Sequence, residues 1–187
     1  MKNIAVFASH NGSGLDAIVW AINEGALHVN IALVITNNTH AKVIHKAKDY
    51  KLTCKLVNAK TDNNPDDTLY KLLKEHHCEY IFLSGYMKKL PAMLTCNFTI
   101  INSHPSLLPR YGGSGMYGRF VHEAVIKNKE KISGVTIHEV NEQYDDGKII
   151  LQKSLEILPN DDVDTLEEKI KNLEKIAIVE GLALCLK

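Results

Sequence analysis

No stretch of the 187 residues approaches the roughly 20 consecutive apolar residues that a membrane-crossing helix requires, so a transmembrane helix is excluded. Cysteine is sparse. Cys54, Cys78, Cys96 and Cys185 stand far apart, with no C-x-x-C and no histidine at ligand spacing. That pattern argues against a disulfide framework or a zinc site and leaves single thiols packed as small hydrophobes. An excess of charge of either sign is missing too. Lys plus Arg and Asp plus Glu both count 22, so the formal net charge is zero and gives no electrostatic case for nucleic acid or a membrane as partner. The opening stretch "MKNIAVFASHNG" is expected to be a first strand rather than a secretory leader, because its apolar run is short and ends in a polar glycine turn. The expected location is the cytoplasm.

What is present is ordinary globular composition, 45% apolar and 24% charged, on a length that suits one domain with its own core. Strand-like and helix-like stretches alternate along it. "NIAVFAS" (3–9), "VNIALVIT" (29–36), "TCKLVN" (53–58), "YIFLSG" (80–85) and "FTIINS" (98–103) read as buried strands. Helices are predicted between them, over "GLDAIVWAINEG", "AKVIHKAKDY" (41–50) and "DDTLYKLLKEHH" (66–77). In the first of these, Leu15, Ile18, Val19 and Ile22 repeat at helical spacing. The second half adds a glycine-dense loop "YGGSGMYG" (111–118), a short helix "RFVHEAVIKN", two alternating strands (134–140 and 148–157), and a closing helix from about Thr165. Continuous apolar strands alternating with helices predict an α/β fold: an open, mostly parallel twisted sheet of about seven strands with helices on both faces. The expectation is one domain, 1–187.

"SHNGSGLDA" (9–17) follows the first strand and opens a helix. Gly12, Gly14 and Ala17 fit G-x-G-x-x-A, the loose dinucleotide fingerprint. Glycines let backbone approach an anion, and a helix N-terminus offers unpaired N–H groups. The dinucleotide reading also needs an acid at the end of the second strand, and "ITNNTH" supplies none. A single phosphate or another small anion is therefore favoured over a dinucleotide, with a ligand-free tight turn as the competing reading.

"INSHPSLLPRYGG" (101–113) ends a strand with an amide and an imidazole, then stiffens the exit with Pro105 and Pro109. Residues two apart in extended chain face the same side, so Asn102 and His104 can point into one pocket. Asn offers a neutral donor and His donates a hydrogen bond or a proton near neutral pH, a pair suited to a developing oxyanion. A protonated His wants a carboxylate, and the acidic turn "NEQYDDGK" (141–148) is the strongest source. His122 and His138 read as structural or solvated, and Asp-Gly also suits a plain hairpin turn. No G-x-S-x-G elbow and no H-E-x-x-H is present, so hydrolase and metalloprotease readings lack support.

"INSHPSLLPRY" followed by "GVTIHEVNEQYDDGKIILQ" resembles the folate-dependent formyltransferases, and "SHNGSGLDAI" resembles their branch acting on glycinamide ribonucleotide. The resemblance runs in order along essentially the whole chain. It implies a Rossmann-like formyltransferase fold whose N-terminal part, about 1–100, binds the ribonucleotide phosphate. The C-terminal part, about 101–187, would carry catalysis and folate binding. The reaction implied is formyl transfer from 10-formyltetrahydrofolate to the ribonucleotide amine in purine biosynthesis, with small-molecule substrates, no metal, and a monomer or homodimer. Asn102, His104 and Asp145 match the catalytic residues. Asn11, Gly12, Ser13 and Gly14 match the phosphate loop, and Lys171 and Glu174 match ribonucleotide contacts. Met87, Lys88 and Leu90 match the folate pocket wall, and Val140, Asn141, Glu142 and Tyr144 lie in the stretch (139–146) that matches the loop around the pterin.

The chain departs from the family pattern at Gly14, usually Asn; at Asp146, commonly Gly; at Lys175, frequently His; and in its longer 111–118 loop. Glycine density suggests that this loop is a mobile lid. Three rivals stand beside the main reading. A formyltransferase acting on another amine, an amino-sugar nucleotide or methionyl-tRNA, is the nearest; the tRNA enzyme is expected to carry a further C-terminal domain. A formyltetrahydrofolate hydrolase is expected to carry a further N-terminal domain. A non-catalytic nucleotide- or folate-binding module would have no need of the Asn–His–Asp set.

Overall fold

A computed structural model describes residues 1–186; Lys187, the end of the expected 1–187 domain, lies outside the described residues. Seven strands form one mostly parallel sheet: β1 (Lys2–Phe7), β2 (Val29–Thr36), β3 (Cys54–Leu56), β4 (Tyr80–Leu83), β5 (Thr99–His104), β6 (Ile132–Glu139) and β7 (Ile149–Glu156). The helices are α1 (Ser13–Asn23), α2 (Val43–Asp49), α3 (Pro65–Glu75), α4 (Ala92–Asn97), α5 (Arg119–Lys127) and α6 (Val163–Cys185). The strand order is β3-β2-β1-β4-β5-β6-β7. The α/β class, the seven strands and the mostly parallel sheet agree with the expectation from sequence. The short helix α4, after Pro91, was not expected.

Contacts divide the chain into two compact units, split between Ile101 and Asn102. In the first, β1 pairs in parallel with both β2 and β4, so the strand order reverses at β1. Ile4, Val6 and Phe7 of β1, Leu33 and Ile35 of β2, and Ile81 and Phe82 of β4 are fully or almost fully buried. They are apolar on both pleat faces, as a covered parallel sheet demands. Leu15, Ile18 and Ala21 give α1 its buried stripe. Asn64 caps α3 by accepting from the Asp67 N–H, and Pro65 starts the helix where its missing N–H costs nothing.

The second unit is built on the antiparallel pair β6 and β7. Its register shifts between Ile137 and His138, where the pairing skips Ile150 of β7 opposite the end of β6. Helix α6 packs closely there. A Cβ on Gly181 would lie 2.8–3.0 Å from Ile137 side-chain atoms, so only glycine admits this approach. Leu166, Ile170, Ala177, Ile178 and Leu182 bury the rest of that helix face. Of the four cysteines, Cys78 is buried, Cys54 and Cys185 are half-buried, and Cys96 is exposed, which corrects the reading of Cys96 as a packed thiol.

Candidate active site

Strand β5 ends in the motif that the sequence singled out. Alternation along it sends Asn102 and His104 one way and Ser103 the other, and the hydrogen bonds follow that split. His104 is buried, with Nδ1 3.5 Å from Asp145 Oδ2 and Nε2 2.7 Å from the Tyr111 carbonyl oxygen. A carbonyl only accepts, so Nε2 carries the proton in that bond. The ring therefore presents Nδ1 to the carboxylate.

Asn102 reaches the same carboxylate through a histidine. Its Nδ2 lies 3.2 Å from His138 Nε2, and His138 Nε2 lies 3.6 Å from Asp145 Oδ1. His138 Nδ1 sits 2.8 Å from the Glu139 carbonyl oxygen, which requires an N–H there. Burial is the largest influence on His138 and pushes its pKa down, against the Glu139 hydrogen bond and the Asp145 charge; His104 adds to the lowering. A neutral ring protonated at Nδ1 leaves Nε2 as an acceptor, so Asn102 donates to it. That fixes which end of the amide is nitrogen, and leaves the second N–H of Asn102 for a substrate oxygen.

Asp145 is held in a left-handed backbone conformation, φ +54°. Its Oδ2 accepts from the Gly113 N–H at 2.9 Å. A Cβ on Gly112 would come 3.2 Å from the Asp145 Cβ and 2.4 Å from Leu108 Cδ2, so a side chain there would displace the carboxylate. A Cβ on Gly147 would meet the Glu139 carbonyl oxygen at 1.7 Å, which pins the 140–148 connection against the end of β6. This connection is a nine-residue loop, and a plain Asp-Gly hairpin turn is excluded. Thr136 secures the loop after His104: its hydroxyl donates to the Ser106 carbonyl at 2.6 Å and accepts from the Leu108 N–H at 3.0 Å. Gln152 Nε2 bonds both Thr136 Oγ1 and the Leu108 carbonyl oxygen, each at 2.9 Å.

On the other side of β5, the Ser103 hydroxyl donates to Glu174 Oε1 at 2.6 Å. The Glu174 side chain keeps some exposed area while its carboxylate is deeply enclosed, and enclosure pushes its pKa up against the Ser103 bond and the Lys171 charge. Lys171 is exposed and pairs with Glu167 one helical turn away.

The glycine turn lies in the first unit, after β1 and at the point where the strand order reverses, the usual place for a ligand in an open α/β sheet. Gly12 has φ +63°, and a Cβ there would collide with Val43 Cγ2 at 2.6 Å. Gly12 precedes α1 without a side-chain cap of its own, and of the first-turn N–H groups that of Leu15 is taken by the Gly12 carbonyl at 3.0 Å. Asn11 and Ser13 are exposed, and the Gly14 N–H donates to Ser84 Oγ at 2.9 Å. The asparagines that replace the dinucleotide acid brace the turn. Asn37 Oδ1 accepts from Ser9 Oγ at 2.6 Å, and Asn38 Nδ2 donates to the Ser9 carbonyl at 3.0 Å. Ser9 Oγ also accepts from the Met87 N–H at 2.8 Å, linking the turn to the predicted folate wall. There Met87 and Lys88 are exposed and Leu90 is buried. In the second unit Val140 is half-buried, while Asn141, Glu142 and Tyr144 are exposed.

Sequence reasoning missed His138, Ser103, Tyr111 and Gly113. His138 was readable only as a polar residue in an apolar strand. Its partner Asp145 comes to it through the 140–148 connection, which no local pattern encodes. Tyr111 and Gly113 act through backbone groups, which leave no signature in residue type.

Comparison with known proteins finds similar sequences and structures. Residues 2–182 match the family described as formyl transferase. A chloroplastic phosphoribosylglycinamide formyltransferase of Vigna unguiculata is 36% identical over 98% of this chain, which spans 61% of that protein's length. The phosphoribosylglycinamide formyltransferase of Bacillus subtilis (strain 168) is 36% identical, covering 93% of this chain and 89% of its own. The crystal structure of phosphoribosylglycinamide formyltransferase from Bacillus halodurans superposes with a TM-score of 0.90 at 32% identity, over all of this chain and 96% of that one. On the extent of the family match and of these identities, the chain belongs to the formyl transferase family.

Proposed function

We propose that this protein transfers the formyl group of 10-formyltetrahydrofolate to the amine of glycinamide ribonucleotide, a step of purine biosynthesis. The observation that carries the reading is the convergence of His104 Nδ1 and the Asn102–His138 pair on the Asp145 carboxylate. The substrate amine attacks the formyl carbon, and the carbonyl π pair moves onto oxygen. Asn102 Nδ2–H stabilises that oxyanion, and so does His104 through Nδ1 once that nitrogen has taken up a proton, since the Nε2–H is held by the Tyr111 carbonyl. Asp145 balances the charge on His104 and takes part in moving the proton lost by the amine. The intermediate collapses by breaking the bond from carbon to the folate N10, which leaves protonated as tetrahydrofolate.

The turn Asn11, Gly12, Ser13 and Gly14 is assigned to the ribonucleotide phosphate, and Lys171 and Glu174 to the rest of the ribonucleotide. Met87, Lys88, Leu90, Val140, Asn141, Glu142 and Tyr144 are assigned to the folate. The reaction so written calls for no metal, and a chelator is expected to leave the rate unchanged. No helix among the described residues is long and apolar enough to cross a membrane. A cytoplasmic location and a monomer or homodimer complete the proposal, to be checked by cell fractionation and by sedimentation.

The test is formation of tetrahydrofolate from 10-formyltetrahydrofolate by the purified full chain, with and without glycinamide ribonucleotide. Turnover only with the ribonucleotide is expected. Turnover without it indicates a hydrolase, and none in either mixture sinks the assignment. Asn102→Ala and His104→Ala are each expected to lose at least ~100-fold in kcat, the usual cost of an oxyanion donor; near-normal turnover in either overturns its role.

A further inference from the structure

We propose that the Tyr111 side chain is a positioning residue, which holds the His104–Asp145 pair at its working separation through the backbone of residues 111–113. The inference rests on the assignment of that pair made above. Two backbone groups in this short segment reach the two partners. The Tyr111 carbonyl accepts from His104 Nε2 at 2.7 Å, and the Gly113 N–H donates to Asp145 Oδ2 at 2.9 Å. Nδ1 and Oδ2 then stand 3.5 Å apart. Neither anchor is a side chain, so what this segment contributes to the separation follows the path of its main chain.

That path is not one the chain adopts by preference. Tyr111 has φ +56°, a left-handed conformation that a bulky residue takes up only where its surroundings enforce it. The enforcement comes from the end of α5. The Tyr111 hydroxyl donates to Glu130 Oε1 at 2.7 Å and accepts from Asn128 Nδ2 at 2.9 Å. Arg110 forms an ion pair with the same Glu130 carboxylate. The phenol is thus held on its donor and its acceptor side, and the Arg110 charge holds the carboxylate that receives it. Ser106 supports the same turn from beneath, its hydroxyl donating to the Arg110 carbonyl at 2.6 Å. Nothing in this set touches the reacting atoms. Its effect on the reaction passes through the positions of one carbonyl and one N–H.

The phenol is the adjustable part of this support. Removing its hydroxyl leaves the ring and its packing, and ends the phenol's own hold on Glu130 and Asn128 while Arg110 stays paired with Glu130. In the full-length protein, Tyr111→Phe is expected to lower kcat between about 10- and 100-fold, the scale on which misplacing catalytic groups by about an ångström acts. KM for both substrates should stay within about twofold. The second readout needs no substrate: nitrogen-detected NMR of the His104 ring in the free protein. Wild type should show one fixed N–H at Nε2, and Tyr111→Phe should show that N–H exchanging between the two nitrogens. If Tyr111→Phe does not fold, Glu130→Gln and Asn128→Ala are read by the same two criteria.

A variant with kcat within twofold of wild type overturns the proposal. So does a fall in kcat with the His104 signals unchanged, which would mark a merely structural role. A wild-type protein without formyl transfer would sink the proposed function, while the ring signals would still decide whether the Tyr111 phenol sets the His104 geometry.

Discussion

At the scale of single residues, the candidate site turns on which histidine carries which proton. His104 donates through Nε2 to a carbonyl, whereas His138 donates through Nδ1 and accepts through Nε2. Burial holds the His138 pKa below its ordinary 6.5. The ring is therefore neutral at neutral pH, and gains a proton only as pH falls through the lowered value. Nε2 then becomes a donor, Asn102 loses its acceptor, and His138 is drawn towards Asp145. Activity is expected to fall on the acid side, below pH 6.5. His138→Gln keeps an oxygen acceptor that does not titrate, so its kcat–pH profile should lose that acid limb; superimposable profiles would refute the role. Asn102 and His104 were legible in the sequence because polar residues ending an apolar strand stand out by type; the residues alone gave an acidic turn, and the family resemblance picked Asp145 from it. His138 was not legible, because its part depends on the path of the 140–148 connection.

At the scale of elements, the connection between β6 and β7 is where packing is tightest. An alanine Cβ at position 147 cannot occupy the space of the Glu139 carbonyl, so Gly147→Ala must push the connection outward and carry Asp145 with it. The expectation is at least a 10-fold loss of kcat, about the effect of a sub-ångström to 1 Å displacement. Thermal unfolding should confirm that the protein still folds; full activity would show that the loop relaxes without moving Asp145. The glycine-dense loop divides in the same way. Gly113 is bonded to Asp145, whereas Ser114, Gly115 and Tyr117 are exposed. Amide exchange should be faster over 114–118 than at Gly113, and uniform protection across 111–118 in the free protein would exclude a lid. Long periodic elements such as α1 and β2 were readable from sequence. Helix α4 was not: six residues after a proline complete too few turns to display a repeat.

At the scale of the whole molecule, the enclosed carboxylate of Glu174 sets a pH dependence of stability. Its pKa is raised in the folded state. The folded protein thus holds a proton that the unfolded chain has already released, and stability declines as pH rises from the ordinary glutamate range through the raised value. Glu174→Gln keeps an acceptor for Ser103 and removes the charge. It should raise the Tm of the ligand-free protein at pH 7.5, with the gain shrinking as pH approaches 4. A constant gain across that range would show that the carboxylate is not the cause. The parallel sheet itself was legible because continuous apolar strands alternating with helices leave few other folds open. No glycine- or proline-rich linker marks the division between Ile101 and Asn102, and only the family resemblance, with its parts of about 1–100 and 101–187, pointed to it.

The oxygen that keeps the proton on His104 Nε2 belongs to the main chain, and all twenty amino acids supply the same one. Mutation at position 111 can change how well the imidazole is aimed, but it leaves the hydrogen-bonding partner in place. A lineage is accordingly free to rewrite residues 114–118, and an engineer fitting a bulkier acceptor amine is free to lengthen them. What neither can alter without cost is the spacing of nine residues from His104 to Gly113, over which the chain has to return to both members of the pair.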